Sequence, residues 1–130
     1  MLDLRKSRRA GRLGRTSPFR GPDGGILPGS IAEISFREIG GVPQWVMVRG
    51  ADTANPPLIL LHGGPGMAET SLFRYFNAPL EADFTVVYWE QRNAGKSFDR
   101  DIPRSSLTVE RFMADLDELV EVGHESLDRQ

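Results

Sequence analysis

The fold is decided by Leu58-Ile59-Leu60-Leu61-His62-Gly63-Gly64-Pro65-Gly66, which reads LILLHGGPG. Its first four residues are apolar and lie between Pro56-Pro57 and a glycine-rich loop. Such a run is too short for a core helix, so it predicts a short strand buried on both faces. Three of the four loop residues 63–66 are glycine, which permits positive φ angles and close approach to the backbone. A glycine loop at the carboxyl end of a buried parallel strand lies where open α/β sheets bind ligands.

Length and composition limit the class of protein. The 130 residues suffice for one modest domain, and 39% apolar with 26% charged residues is typical of a soluble globular protein. No run of 18 apolar residues occurs, so no transmembrane helix is predicted. The absence of cysteine excludes disulfides, a cysteine nucleophile and cysteine-type zinc sites, and it suits a cytoplasmic protein. Because the two histidines are far apart in sequence, we expect no metal site, and we expect no cofactor.

The two ends of the chain carry opposite charge. Residues 1–20 hold seven basic residues against Asp3, whereas the last thirty residues hold eight acidic residues against three arginines. The basic stretch RKSRRAGRLGR could contact nucleic acid or anionic lipid, but a solvated tail is the simpler interpretation. Residues 1–28 carry little apolar content and several Gly and Pro. We therefore predict a flexible basic leader over 1–28, a folded domain over 29–130, and neither a nucleic-acid nor a membrane partner.

The domain begins with a predicted β-hairpin. Alternate residues from Ala32 to Phe36 are apolar, which indicates a half-buried strand. Gly40-Gly41 then predicts a tight turn, and the apolar run 45–48 predicts a second strand. Residues 31–49 are therefore expected to form an antiparallel pair.

A short helix and another strand are predicted after the glycine loop. The helix is expected over 71–78, capped by Thr70 or Ser71 and ended by Pro79. The β-branched and aromatic run 85–89 predicts a strand that leads into a polar turn. The apolar face of the short helix is predicted to comprise Leu72, Phe73 and Phe76. In the turn, Asn93 and Gly95 are the residues suited to left-handed conformations.

The clearest helical pattern follows Thr108, a suitable N-cap, and stops at Gly123. Its apolar stripe comprises Val109, Phe112, Met113, Leu116 and Val120. Its solvated face is predicted to comprise Asp115, Asp117, Glu118 and Glu121. The element order is therefore hairpin, strand, helix, strand, helix, and the alternation predicts parallel pairing and an α/β class.

Two motifs carry a resemblance to a known family. HGGPG at 62–66 and, about 25 residues after it, EQRNAGKS at 90–97 resemble the proline iminopeptidase-like branch of the α/β-hydrolases. The similarity spans roughly residues 27–130 and implies the N-terminal portion of that fold, truncated before the strand that carries the nucleophile. One departure is Asn93, where the family usually has glycine; asparagine is the next best left-handed residue.

The resemblance implies a role for the loop. Acyl transfer needs backbone N–H donors aimed at a developing oxyanion, and these hydrolases take one donor from this loop. The matching donor is Gly64, with Gly63 and Gly66 allowing the backbone to turn and with His62 and Pro65 supporting the loop. The alternative is a tight strand-to-helix turn with no catalytic role.

The remaining catalytic groups of the family are missing. No serine lies in a G-x-S-x-G motif. Ser97 has Gly95 two residues before it but Asp99 two residues after it, Ser126 lacks both glycines, and Ser30 precedes the first predicted strand. Neither His62 nor His124 matches the family's histidine, which comes last in its triad. We therefore expect the chain to be inactive alone, with a small peptide or acyl substrate once completed. The carboxylates Glu90, Asp99 and Asp101 are interpreted as loop solvation.

Two further interpretations concern the turn and the open edge of the sheet. Gly95-Lys96-Ser97 ends like a phosphate-binding loop, but that motif needs glycine at position 90, which is glutamate. The turn is therefore interpreted as structural, with Arg92 pairing locally. Without the next strand of the fold, Leu58–Leu61 becomes an apolar edge, which predicts self-association or a partner chain. A non-enzymatic interaction module, using that edge or the basic arm, is the alternative function.

Overall fold

The computed structural model describes residues 9–63 and 66–127, the segment 124–127 by its backbone alone. Within these residues, one sheet has the strand order β1-β2-β4-β3. The elements are β1 (Ile31–Ile39), β2 (Val42–Gly50), β3 (Pro57–Leu60), α1 (Thr70–Asn77), β4 (Thr85–Glu90) and α2 (Val109–Leu127). Short 3₁₀ turns occupy Ala78–Ala82, Gly95–Ser97 and Arg104–Ser106.

The predicted hairpin is present. β1 and β2 pair antiparallel with Ile39 opposite Val42, so Gly40 and Gly41 form the two-residue turn. Both glycines have positive φ, 57° and 74°, which is the geometry that matches the twist of the flanking strands. At Gly40 a side chain is also excluded by space, because a Cβ would lie 2.0 Å from the Asp115 carboxylate.

The predicted α/β class is confirmed, since β3 and β4 pair in parallel and α1 connects them along the chain. β4 also pairs antiparallel with β2, so it is the central strand beside β3. The expectation that β3 is buried on both faces was wrong: Leu58, Ile59 and Leu60 are half-buried. The physical reason is that β3 lies at the edge of the described sheet and has β4 as its neighbour there.

Each face of the sheet has its own apolar cluster. On one face Trp45, Met47, Val86 and Tyr88 are buried under Phe73 of α1 and neighbouring residues. On the other face Leu119 of α2 packs against three buried residues, which are Ile39, Val46 and Trp89. The sheet is therefore a middle layer between helices, as in other α/β folds.

Helix α1 differs from its prediction at its start and in its buried face. It begins at Thr70, with Glu69 before it and no side-chain cap among the described contacts. Phe73 packs on the sheet as expected, but Leu72 and Phe76 are exposed. The helix ends at Asn77, and Pro79 is the second residue of the 3₁₀ turn that follows it.

Helix α2 has the predicted cap, since the Thr108 hydroxyl accepts the Arg111 N–H at 3.2 Å. Its orientation was predicted wrongly: Asp115, expected in solvent, is fully buried, while Val109 and Met113 are exposed. The cause is an ion-pair network at Asp115 that turns this side of the helix inward. Gly123 does not end the helix, which continues to Leu127.

The described part of the segment predicted as a flexible leader contacts the domain. The Leu13 carbonyl accepts the Trp45 indole N–H at 2.8 Å, and the Ser17 carbonyl accepts Arg49 Nη1 at 2.6 Å. The Phe19 ring lies under the Arg49 guanidinium, 4.7 Å from it. The segment thus supplies partners to side chains of β2, and the division into a leader over 1–28 and a domain over 29–130 stays a prediction. Residues 1–8 lie outside the described part of the chain.

Candidate functional site

The glycine loop leads from the carboxyl end of β3 to α1. Gly64 and Pro65, the predicted oxyanion donor and its neighbour, lie outside the described residues. Gly66 has a positive φ of 101°, a conformation that favours glycine. The roles of Gly63, Gly64, Pro65 and Gly66 in a reaction therefore stay predictions.

His62 joins the loop to the end of β4. Its side chain is buried, and its Nε2 accepts the backbone N–H of Gln91 at 2.9 Å. The Gln91 side-chain amide in turn donates to the His62 carbonyl at 2.7 Å. Because Nε2 is an acceptor, the ring proton is on Nδ1, which faces the Gly63 carbonyl at 3.3 Å. Two hydrogen bonds therefore hold the start of the loop against the start of the polar turn, and the third lies within the loop.

Glu69 contacts the same loop from the other side. Its carboxylate accepts the Gly63 N–H at 3.3 Å, directly before α1 begins. Loop N–H groups attract negative charge, and here the chain's own carboxylate takes that place. Glu69 and Gln91 were not identified from the sequence, because their contacts depend on how the two loops meet in space.

The turn after β4 is held from inside by Glu90. Its carboxylate is buried and accepts the Lys96 backbone N–H, so the interpretation of Glu90 as loop solvation was wrong. The Ser97 hydroxyl donates to the Glu90 carbonyl and accepts the Trp45 backbone N–H at 2.7 Å. A Cβ at Gly95 would lie 2.4 Å from the Glu90 carboxylate, so the turn closes around glycine. Asn93, with φ 60°, has the left-handed conformation that was predicted.

The geometry of this turn does not fit phosphate binding. The Glu90 carboxylate accepts the Lys96 backbone N–H and so occupies the position that a phosphate oxygen would need. The Lys96 ammonium lies over the Trp45 ring, 4.1 Å from its centroid, which is a cation–π contact. The Ser97 hydroxyl is buried with both of its partners in the protein. The structural interpretation of the turn therefore accounts for all three polar groups.

Arg92 makes a long-range ion pair instead of the expected local one. Its Nε and Nη2 donate to the two carboxylate oxygens of Asp115 at 2.9 and 3.1 Å. Nη2 also donates to the Gly40 carbonyl at 2.8 Å. Gln44 and Arg111 donate to the same carboxylate at 2.7 and 2.9 Å. This Asp115 network joins the hairpin turn, the turn after β4 and helix α2.

A second buried network lies beneath α1. The Glu81 carboxylate accepts Arg49 Nε at 3.0 Å and the Tyr88 hydroxyl at 2.7 Å, and it pairs with Arg74 at 3.2 Å. Burial, and then the hydrogen bond to Glu81, raise the pKa of Tyr88 well above its ordinary value. The hydroxyl therefore stays protonated and donates to Glu81.

The other candidate groups do not form a catalytic set in the described residues. The Ser30 hydroxyl donates to the Leu27 carbonyl at 2.6 Å. Asp99 accepts the Asp101 N–H, which together with Arg9 lowers the pKa of the Asp99 carboxyl, against the opposing effect of burial. The side chains of His124 and Ser126 lie outside the described residues. In the described part of the chain, no cluster of three His, Cys, Asp or Glu could hold a metal ion, and no helix is long and apolar enough to cross a membrane.

The fold and the glycine loop together indicate a class of protein. A β-hairpin followed by a parallel β-α-β unit, with a glycine loop at the end of β3, is consistent with part of an α/β-hydrolase. A crystal structure of a proline iminopeptidase-related protein from Thermus thermophilus matches with a TM-score of 0.63 and 32% identity. The match covers 71% of this chain and 32% of that one.

Sequence comparison points to the same relatives. The chain is 41% identical over 86 residues to the probable aminopeptidase YbaC of Bacillus subtilis, covering 66% of this chain and 27% of the relative. It is also 41% identical to a probable proline iminopeptidase of Streptomyces coelicolor, covering 48% of this chain and 20% of the relative. No protein-family model matches the chain.

These similarities confirm the predicted resemblance. The chain is related to the proline iminopeptidase-like branch of the α/β-hydrolases, over the N-terminal part of those proteins. It spans about a quarter of the length of the curated relatives it matches, at 27% and 20%.

Proposed function

We propose that this chain provides the loop-bearing part of a serine hydrolase that removes N-terminal residues from small peptides or cleaves related acyl bonds. The observation that carries the proposal is the glycine loop at the end of β3, bound through His62 to Gln91. The names of the two curated relatives, an aminopeptidase and a proline iminopeptidase, support the reaction class.

The chemistry of the loop follows from its N–H groups. In acyl transfer a nucleophile adds to the carbonyl carbon, and negative charge develops on the carbonyl oxygen. A backbone N–H held in place beforehand stabilises that charge, and removing one such donor costs about 3–4 kcal/mol of transition-state stabilisation. Gly64 is the proposed donor. Gly63 becomes a second donor if the Glu69 carboxylate moves off its N–H.

The nucleophile, the general base and its acid are proposed to come from outside this chain. Ser30 and Ser97 donate their hydroxyl protons to backbone carbonyls, so neither is activated by a neighbouring base. His62 uses Nε2 as an acceptor for a backbone N–H, so that nitrogen is not available to take a proton from a serine. The chain alone is therefore inactive.

The test is hydrolysis of a prolyl arylamide, an alanyl arylamide and a short acyl ester. We expect no turnover from the purified chain above a buffer control. We expect turnover when the remainder of the Bacillus subtilis relative, from the residue after the matched stretch, is added as a separate polypeptide. Turnover by the chain alone, or a stable complex that hydrolyses none of the substrates, would contradict the proposal.

A non-enzymatic interaction module is the second candidate. The observation that favours it is the position of β3 at the edge of the described sheet. The basic arm is the weaker surface, because Arg9 pairs with Asp99 at 3.1 Å and Arg12 donates to the Phe98 carbonyl at 2.6 Å. Binding of a protein partner that survives removal of residues 1–8 but fails after Ile59→Lys would favour the edge; the reverse result would favour the arm.

A further inference from the structure

Residues 9–19, which we call the strap, contact both β2 and the polar turn after β4. At the turn, Arg9 pairs with Asp99 at 3.1 Å, and Arg12 Nη1 donates to the Phe98 carbonyl at 2.6 Å. These two contacts join positions that are 90 and 86 residues apart in the sequence. Two basic residues of the strap therefore have their partners in the turn.

The middle of the strap lies against Trp45. The Leu13 carbonyl accepts the Trp45 indole N–H at 2.8 Å, and the Leu13 side chain packs against the apolar cluster that contains Trp45. Lys96 of the turn lies over the same indole ring, and a Cβ at Gly14 would lie 3.5 Å from the Lys96 ammonium. The strap, Trp45 and the turn are therefore packed together.

The two ends of the strap are attached unequally. Arg49 of β2 holds one end through the Ser17 carbonyl, and Arg49 is itself fixed by Glu81, with side chains 5% and 4% exposed. In the Arg9–Asp99 pair at the other end, both side chains are 25% exposed. A partly exposed ion pair adds little stability and is screened by salt. The strap therefore detaches more readily at its Arg9 end.

The turn that the strap contacts is also the turn that holds the start of the glycine loop. The Asp99 N–H donates to the Asn93 side-chain oxygen at 3.1 Å, and the Ala94 N–H donates to the Gln91 carbonyl at 2.9 Å. Gln91 in turn makes its two hydrogen bonds with His62. A restraint at residues 98 and 99 is therefore connected through the turn to His62.

We propose that Arg9 and Arg12 are positioning residues for the glycine loop. By attaching the strap to the turn, they restrict the motion of Gln91 and therefore of His62. Coupling of this kind is carried by packed side chains and hydrogen bonds that have two arrangements, which here are the strap attached or detached at its Arg9 end. The catalytic value of a fixed loop rests on the proposed function, because an oxyanion donor must be held in place before charge develops.

The test is hydrogen exchange in the full chain, followed by NMR at two N–H groups. The Trp45 indole reports the contact with the strap, and the Gln91 backbone N–H reports the contact with His62. Arg9→Gln removes the ion pair at the turn without changing the turn itself. Exchange at both groups should become about two- to fivefold faster, as expected for the loss of a partly exposed ion pair.

One internal control and one control variant separate this effect from general destabilisation. The Trp89 indole lies in the apolar cluster on the other face of the sheet and donates to Gln44 at 2.9 Å, so its exchange should keep the same rate in Arg9→Gln. Arg15→Gln removes the same charge from the strap at an exposed position, and it should leave all three rates unchanged. Raising the salt concentration of the unchanged protein to about 1 M, where the Debye length is about 3 Å, should act like Arg9→Gln.

Three results would overturn the proposal. They are unchanged exchange of the Trp45 indole in both Arg9→Gln and high salt, faster exchange of that indole with an unchanged Gln91 N–H, and equal acceleration of both groups and the Trp89 indole. The proposed function is tested separately by mixing the chain with the remainder of the Bacillus subtilis relative. The expected exchange pattern without hydrolysis in that mixture would support the positioning role of the strap and contradict the proposed function.

Discussion

Asp115→Asn should destabilise the protein strongly. Asp115 is 0% exposed, and its carboxylate accepts two hydrogen bonds from Arg92, one from Gln44 and one from Arg111. Asparagine has nearly the same volume, so the substitution removes the negative charge and one acceptor oxygen while keeping the space filled. Arg92 would then remain buried with its positive charge unpaired, and its acceptors would be the Gly40 carbonyl and one amide oxygen.

The expected loss follows from the buried charge. Removing one partner of a buried ion pair costs about 3–5 kcal/mol, because the other charge is left uncompensated. Arg111 reduces that cost little, because it is more exposed than Arg92 and can turn toward water. A domain of this size has a total stability of about 5–15 kcal/mol, so the variant loses a large share of it. With a urea dependence of about 1–3 kcal/mol/M, the midpoint should fall by on the order of 2 M.

The assay is urea unfolding followed by tryptophan fluorescence. Trp45 and Trp89 are both buried, and the Trp89 indole donates to Gln44 at 2.9 Å, next to Asp115. Asp117→Asn is the matched control, since Asp117 is exposed on the same helix and should shift stability by less than about 0.5 kcal/mol. A midpoint for Asp115→Asn equal to that of the control would refute the reasoning. Replacing both charges, as Arg92→Met with Asp115→Leu, should cost less than Asp115→Asn alone.

Three further predictions concern the hairpin turn and two titrating groups. Gly41→Ala should lower the free energy of unfolding by about 1–2 kcal/mol, because an alanine at this positive φ is strained although its Cβ would meet nothing within 4 Å. Gly40→Ala should lower it by about 1–3 kcal/mol more, because its Cβ would also meet the Asp115 carboxylate. Equal urea midpoints for the two variants would contradict this. The raised pKa of Tyr88 means that its contribution to stability is complete below about pH 10, its ordinary pKa, and is lost as pH rises through the folded value. Unfolding midpoints of Tyr88→Phe should therefore fall less steeply in alkali than those of the unchanged protein. The pKa of Asp99 is lowered, so its contribution to stability has the opposite pH dependence: it is present above about pH 4 and is lost as pH falls. Asp99→Asn should therefore make the unfolding midpoint less sensitive to acid. Identical profiles of midpoint against pH for the variant and the unchanged protein would contradict this.

Local sequence patterns were sufficient to predict the strands of the sheet and the ends of several elements. Gly40-Gly41 predicts the hairpin because a two-residue turn with positive φ needs such residues. The apolar and β-branched composition of 85–89 predicts a strand wherever the chain places it. Thr108 identifies the start of α2 because a cap acts within one turn of its own helix.

The sequence was insufficient where a side chain's environment depends on distant residues. Asp115 appears on a polar helical face, and its burial depends on Arg92, which is 23 residues away. Glu90 was interpreted as solvated because its partner is a backbone N–H within a turn, which composition does not reveal. The exposure of Val109 and Met113 was not predicted, because periodicity gives the side of a helix that is apolar, not the residues that cover it.

The central claim is that this chain is part of a hydrolase whose nucleophile lies outside the chain. Labelling with a serine-reactive fluorophosphonate probe tests that claim most directly. The chain and the remainder of the Bacillus subtilis relative are treated with the probe separately and together, and the labelled residue is located by mass spectrometry. We expect no label on this chain in any sample, and a label on one serine of the remainder when the two are mixed. A labelled serine within this chain would contradict the central claim and would identify the nucleophile itself.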